Sequence, residues 1–112
     1  MRTVIIESPY AGNVEENLRY LRACMRDCLL RGKAPFASHG LYTQPGVLND
    51  DVPEERQHGI HAGFAWRGLS KMTAVYMDRG VSRGMEYGIE HAKKLNHKIE
   101  YRYLGGEWEA KA

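Results

Sequence analysis

The chain has 112 residues, 16 of them basic and 14 acidic, for a net charge of only +2. That length suits one domain around one core. The interspersed charge argues against a dedicated nucleic-acid binder, which would show a basic face. No apolar run approaches a membrane span, and the one in Met1–Ile6 is too short for a signal peptide, so a cytoplasmic protein is expected. Cys24 and Cys28 lie four apart on one predicted helix, near the upper limit of disulfide geometry, and read as reduced core residues.

Thr3–Ser8 is a short β-branched run and reads as a central buried strand, closed by the turn Pro9–Gly12. Asn13 can cap the helix that follows, with Glu15 and Glu16 in its first turn. Val14, Leu18, Leu21, Met25 and Cys28 recur at helical spacing and predict an amphipathic helix stopped at Gly32. Ala34–Ser38 is a short second strand, placed near an edge by Pro35. His39–Asp51 is a long loop, and long loops are often functional. Pro53 opens a second helix that runs through Ile60, Phe64 and Leu69. Met72–Met77 is a third buried strand, Arg83–Leu95 a third helix, and His97–Leu104 an alternating fourth strand. The tail Gly105–Ala112 reads as loose, with Trp108 able to anchor it.

The order βαβαβαβ predicts an α/β fold, a flavodoxin/Rossmann-like three-layer sandwich. Its parallel sheet has about four strands in the order 2-1-3-4. Ligands bind such sheets beyond the carboxyl ends of the strands, at the switch point between strands one and three. Two turns converge there, Glu7–Gly12 and Asp78–Gly84. Ser8, Pro9, Tyr10 and Gly12 belong to the first; Asp78, Ser82, Arg83 and Gly84 belong to the second, with Met85 beginning the helix. Tyr10 can stack on a base, Asp78 can accept from ribose hydroxyls, and Arg83 can add a charged contact. Ser82 and the N–H groups near Gly84 can hold a phosphate or a 5′-hydroxyl. Asp78 and Ser82 also suit a turn and a helix cap with no ligand at all. His39 ends the second strand on the same side, as a ligand contact, an acid/base group or a loop histidine bonded to backbone. Asn49–Asp51 and Glu54–Arg56 suit a network tying the long loop to the second helix. His58-x-x-His61 lacks a third ligand and the HExxH pattern, so neither a metal nor another cofactor is expected.

Ile5–Gly12 resembles the opening strand and turn of nucleoside 2-deoxyribosyltransferase-like proteins. Asp78 with Ser82–Ala92 resembles their second signature. With Pro35–His39, Leu48–Asp50, Glu55–Arg56 and Gly59, the chain is still more similar to a small domain of unknown function found in phage proteins. The likeness covers about residues 3–103 and implies a single nucleoside 2-deoxyribosyltransferase-like domain over 1–112. It also implies a nucleoside or nucleotide ligand and a cleft completed in a homo-oligomer, for which Phe64, Trp66, Tyr101 and Trp108 are candidate anchors.

The relatives use a glutamate as nucleophile on the sugar. It stands four residues after the glycine of a Ser-x-Gly step, and Gly88 occupies that place here. Glu86 and Glu90 point about 200° away around a helix, toward solvent, and Glu7 is a further carboxylate near the cleft. Two functions follow. In one, a phage-type, anti-defense protein in the host cytoplasm sequesters a host immune nucleotide signal without cleaving it. In the other, an N-glycosidic-bond enzyme, a nucleoside deoxyribosyltransferase or nucleotide N-hydrolase, uses Glu7, Glu86 or Glu90.

Overall fold

A computed structural model describes residues 1–106 and Trp108. Its elements are β1 (Arg2–Glu7), α1 (Val14–Leu30), β2 (Lys33–Phe36), α2 (Ser38–Leu41), α3 (Pro53–Gly68), β3 (Met72–Tyr76), α4 (Arg83–Lys94) and β4 (Lys98–Arg102). All pairings are parallel and the order is β2-β1-β3-β4, as the alternation predicts. Ile5 stands opposite Phe36 on one side and Thr73 on the other, so β1 is central. The helix α2 replaces the start of the predicted long loop. One turn is too short to leave a periodic signal in sequence.

Side-chain alternation divides the two faces of the sheet. Val4, Ile6, Ala74 and Tyr76 pack with Tyr20, Leu21, Cys24 and Cys28 of α1. Val75 turns the other way, onto Met85 and Ile89 of α4. Burial pushes both cysteine thiols above their ordinary range, as suits reduced core residues. The inward stripe of α1 is Asn17, Tyr20, Leu21, Cys24 and Cys28. It keeps Leu21 and Cys28 of the predicted Val14–Leu18–Leu21–Met25–Cys28 line but centres on Asn17, Tyr20 and Cys24, with Leu18 and Met25 partly buried beside it, because Asn17 and Tyr20 carry polar atoms to buried partners. The Asn17 amide donates to the carbonyls of Tyr10 (3.0 Å) and Ala11 (3.1 Å), and its oxygen accepts from Arg79 Nε (2.9 Å). One buried side chain thus fastens both of the converging turns to α1.

Of the aromatic anchors, Trp108 packs edge-on against Tyr20 at 5.0 Å, within the chain's own core rather than at an interface. Phe64 stacks on His91 at 3.8 Å, Trp66 donates to the Tyr42 hydroxyl at 2.7 Å while half exposed, and Tyr101 is exposed on β4. Residue 107 and residues 109–112 of the predicted loose tail lie outside the described residues. Among the described residues, no helix is long and apolar enough to cross a membrane.

Candidate functional site

A cavity of about 210 Å³ opens at the carboxyl end of β1, beside the start of α4. Its walls include Glu7, Ser8 and Tyr10 from β1 and its turn, and Ser82, Arg83, Gly84 and Met85 from the α4 start. His39 of α2 joins them, as do Tyr42, Leu48 and Asp50 of the 42–52 loop and Ile60, Phe64 and Arg67 of α3. The loop is tied to α3, because Glu55 accepts from the Asn49 N–H at 3.0 Å. A shallower recess of about 700 Å³ adjoins the cavity beneath the loop and shares Tyr10 and Asp50 with it. Gly12, in the left-handed region at φ +98°, lines this recess rather than the cavity. Pro9 is buried behind the turn and lines neither.

Glu7 places a buried carboxyl in the cavity wall. It follows Ile5 on the α4 side of β1 and meets the Arg67 guanidinium, which is 2 % exposed. Burial raises the Glu7 carboxyl from 4.5 to about 7, against the opposing pull of Arg67. Such perturbed groups in clefts mark functional candidates. Arg67 is the residue that sequence reasoning missed. Its signal is available in the stripe Ile60–Gly63–Phe64–Arg67, where a cation occupies an inward helical position.

Ser8 Oγ and His39 Nε2 are hydrogen-bonded at 2.7 Å. Burial, and next the charge of Arg67, lower His39 from 6.5 to about 4, so the imidazole is neutral near pH 7. Ser82 caps α4: its hydroxyl accepts from the Met85 N–H at 3.3 Å while the residue lines the cavity. The first N–H groups of α4 have no partner within the helix and supply donors beside Arg83.

Asp78 lies outside the cavity. It continues the Ala74–Tyr76 face toward α1, where it accepts from the Tyr20 hydroxyl at 2.6 Å and from the N–H groups of Leu104 (2.9 Å) and Gly105 (3.0 Å). Burial alone would raise its pKa, but these donors hold it below the ordinary range. The expected ribose contact is therefore corrected to a latch between α1 and the end of β4. Glu86 and Glu90 are exposed on the outer face of α4, away from the cleft, and Glu90 pairs with Lys93 at 3.9 Å. Gly88 faces inward, and the space beside it is filled by the Glu7 carboxyl.

Glu7 and His39 titrate in opposite senses. The folded value of Glu7 lies above its ordinary 4.5, so its contribution to stability is full below 4.5 and lost as pH rises toward about 7. The folded value of His39 lies below its ordinary 6.5, so its contribution is full above 6.5 and lost as pH falls toward about 4. At about 1.4 kcal/mol per unit, each is worth up to about 3 kcal/mol, and the two slopes offset. In urea unfolding between pH 4.5 and 6.5, Glu7→Gln should expose the acid-sensitive slope and His39→Asn the opposite one. Profiles parallel to the wild type would refute the two assignments.

The parallel 2-1-3-4 sheet with a cleft at its switch point defines a Rossmann-type α/β fold of the deoxyribosyltransferase kind. The solved 2-deoxyribosyltransferase of the psychrotolerant bacterium Bacillus psychrosaccharolyticus, a biocatalyst for nucleoside synthesis, superposes with a TM-score of 0.64 at 15% identity. The match covers 94% of this chain and 74% of that one. The chain itself belongs to the family described as domain of unknown function DUF7768, whose model matches residues 2–102. No curated protein matches its sequence.

Proposed function

We propose that the cleft binds one nucleoside or nucleotide and that Glu7 acts on its N-glycosidic bond. The observation that carries this is a carboxylate with a pKa of about 7, buried in the wall of a cavity that it helps to form. Ionised, Glu7 can bond to the anomeric carbon as the C–N electron pair leaves with the base, which takes up a proton. Water, or a second base, then attacks the same carbon and releases the carboxylate. The 15% structural relative acts on nucleosides by its name, and it supports the substrate class at the level of fold.

Size and charge narrow the ligand. The cavity is smaller than the roughly 300–1,000 Å³ of drug-sized pockets, which suits one nucleoside unit. A cyclic dinucleotide would have to extend into the recess, whose lining carries Asp50, Asp51 and Glu55 and no basic residue. A phosphate is better placed at Arg83 and the first turn of α4.

Capture without cleavage, including sequestration of a nucleotide signal by a phage-type protein, is the second reading. One observation favours it: Glu7 is already engaged by buried Arg67, as a structural ion pair would be.

Calorimetry with nucleosides, nucleoside monophosphates and cyclic dinucleotides tests the site. A monomeric ligand should bind, and Tyr10→Ala should weaken it about 10-fold, since stacking of a base on an aromatic ring contributes about 1–3 kcal/mol. Unchanged affinity in folded Tyr10→Ala and Ser82→Ala variants would remove this cleft as the binding site.

A further inference from the structure

Three unfavourable features meet at one point in the cleft. Gly88 sits in the middle of α4 with an ordinary helical backbone, where glycine is destabilising relative to alanine and no positive φ requires it. Glu7 is a carboxylate withdrawn from water. Arg67 is a buried cation whose Nε has no hydrogen-bond partner among the described residues. Packing alone would be better served by alanine at 88 and apolar residues at 7 and 67, because replacing a buried ion pair by apolar groups is often neutral or stabilising.

One contact links all three. A Cβ added to Gly88 would overlap the Glu7 carboxyl carbon and both its oxygens, the farther oxygen at 2.6 Å. The atoms in the way are the end of a side chain that Arg67 holds, and the oxygen nearest that Cβ is the one Arg67 bonds. The vacancy left by glycine is therefore the seat of the carboxylate, and Arg67 bonds the carboxylate in that seat.

We infer that Gly88 and Arg67 are positioning residues for Glu7, and that the cleft requires a carboxylate at this point irrespective of which element carries it. The inference rests on the cleft reading given above and deepens it. A side chain at 88 displaces Glu7 toward the open cavity. A carboxylate rooted at 88 can occupy the same region once Glu7 is truncated, since its Cβ would start where the Glu7 carboxyl now lies. The charged and titratable groups around this seat come from three elements. Arg67 of α3 bonds Glu7, while His39 of α2 and His91 of α4 are held below the usual histidine range by burial and next by the charge of Arg67.

The test has a readout that does not need turnover. In ¹³C-carboxyl NMR titration, Glu7 of the wild type should titrate near 7, and Gly88→Ala should move it by at least 1 unit toward the ordinary carboxylate range. An unmoved titration overturns the inference whether or not the protein is an enzyme. Stability of the pair Gly88→Ala and Glu7→Ala/Gly88→Ala guards against a folding defect. The alanine at 88 should destabilise only when Glu7 is present, and equal destabilisation in both backgrounds overturns the inference.

Turnover then tests the exchange. Glu7→Ala should lose activity at least 10³-fold, and Glu7→Ala/Gly88→Asp or Glu7→Ala/Gly88→Glu should regain at least 10-fold of it. If the wild type turns over and both exchanged chains bind ligand but stay dead, the claim that either element can carry the carboxylate is wrong. If the wild type never turns over, the enzyme reading fails by itself, and the NMR titration still decides whether Gly88 and Arg67 seat Glu7.

Discussion

Glu7→Gln should lower turnover by at least about 10³-fold while leaving nucleotide affinity within a few-fold. The amide has the shape of the carboxylate and can still accept from Arg67, so the cavity keeps its walls. It cannot form the bond to the anomeric carbon, and loss of an interaction made only during the reaction appears in kcat rather than in binding. Glu86→Gln and Glu90→Gln should run at the wild-type rate, because both side chains are exposed on the outer face of α4. The wild-type rate should rise with pH through about 7, the value to which burial lifts the Glu7 carboxyl. Full activity in folded Glu7→Gln would remove Glu7 from the chemistry.

Asp78→Ala should have the largest effect on stability and almost none on affinity. The substitution deletes the acceptor for the Tyr20 hydroxyl and for the N–H groups of Leu104 and Gly105. Tyr20 is fully buried, so its hydroxyl has no water to turn to. Hydrogen bonds to a charged acceptor contribute about 1.5–3 kcal/mol each, with losses in one network less than additive. A cost of about 3–5 kcal/mol is expected, which lowers Tm by roughly 10–20 °C in a domain of this size. Thermal unfolding monitored by circular dichroism measures it. An Asp78→Ala protein that melts like the wild type but no longer binds nucleotide would return Asp78 to the site.

Asp78 also shows what was legible in the sequence. Its position after β3 marked it as a residue of the strand ends, and that much the structure bears out. Which side of the sheet it serves follows from a period of two: Ala74 and Tyr76 pack on α1 and Asp78 meets Tyr20 there, whereas Glu7, one residue off the Val4–Ile6 face, meets Gly88 of α4. The parallel order 2-1-3-4 followed from βα alternation alone, since right-handed crossovers leave few other choices. The inward stripe of α1 followed only in part: Leu21 and Cys28 were legible from helical spacing, whereas Asn17 and Tyr20 are drawn in by partners distant in sequence, at Arg79 and Asp78. Glu7 was one of three candidate carboxylates in the sequence, but its environment was not legible there for the same reason. Burial raises its pKa while Arg67 pulls the other way, and the residues that enclose it, Arg67 and Gly88, lie far from it in the chain.

A nucleoside or nucleotide that enters this cleft should lose its base. Mass spectrometry on a panel of nucleosides, deoxynucleoside monophosphates, NAD and cyclic nucleotides tests it most directly. Free and protein-bound fractions are read separately after incubation with the wild type, the bound fraction after denaturation. Free base together with its sugar product is the predicted result. An intact nucleotide recovered only from the denatured protein would contradict cleavage and leave a capture protein in its place.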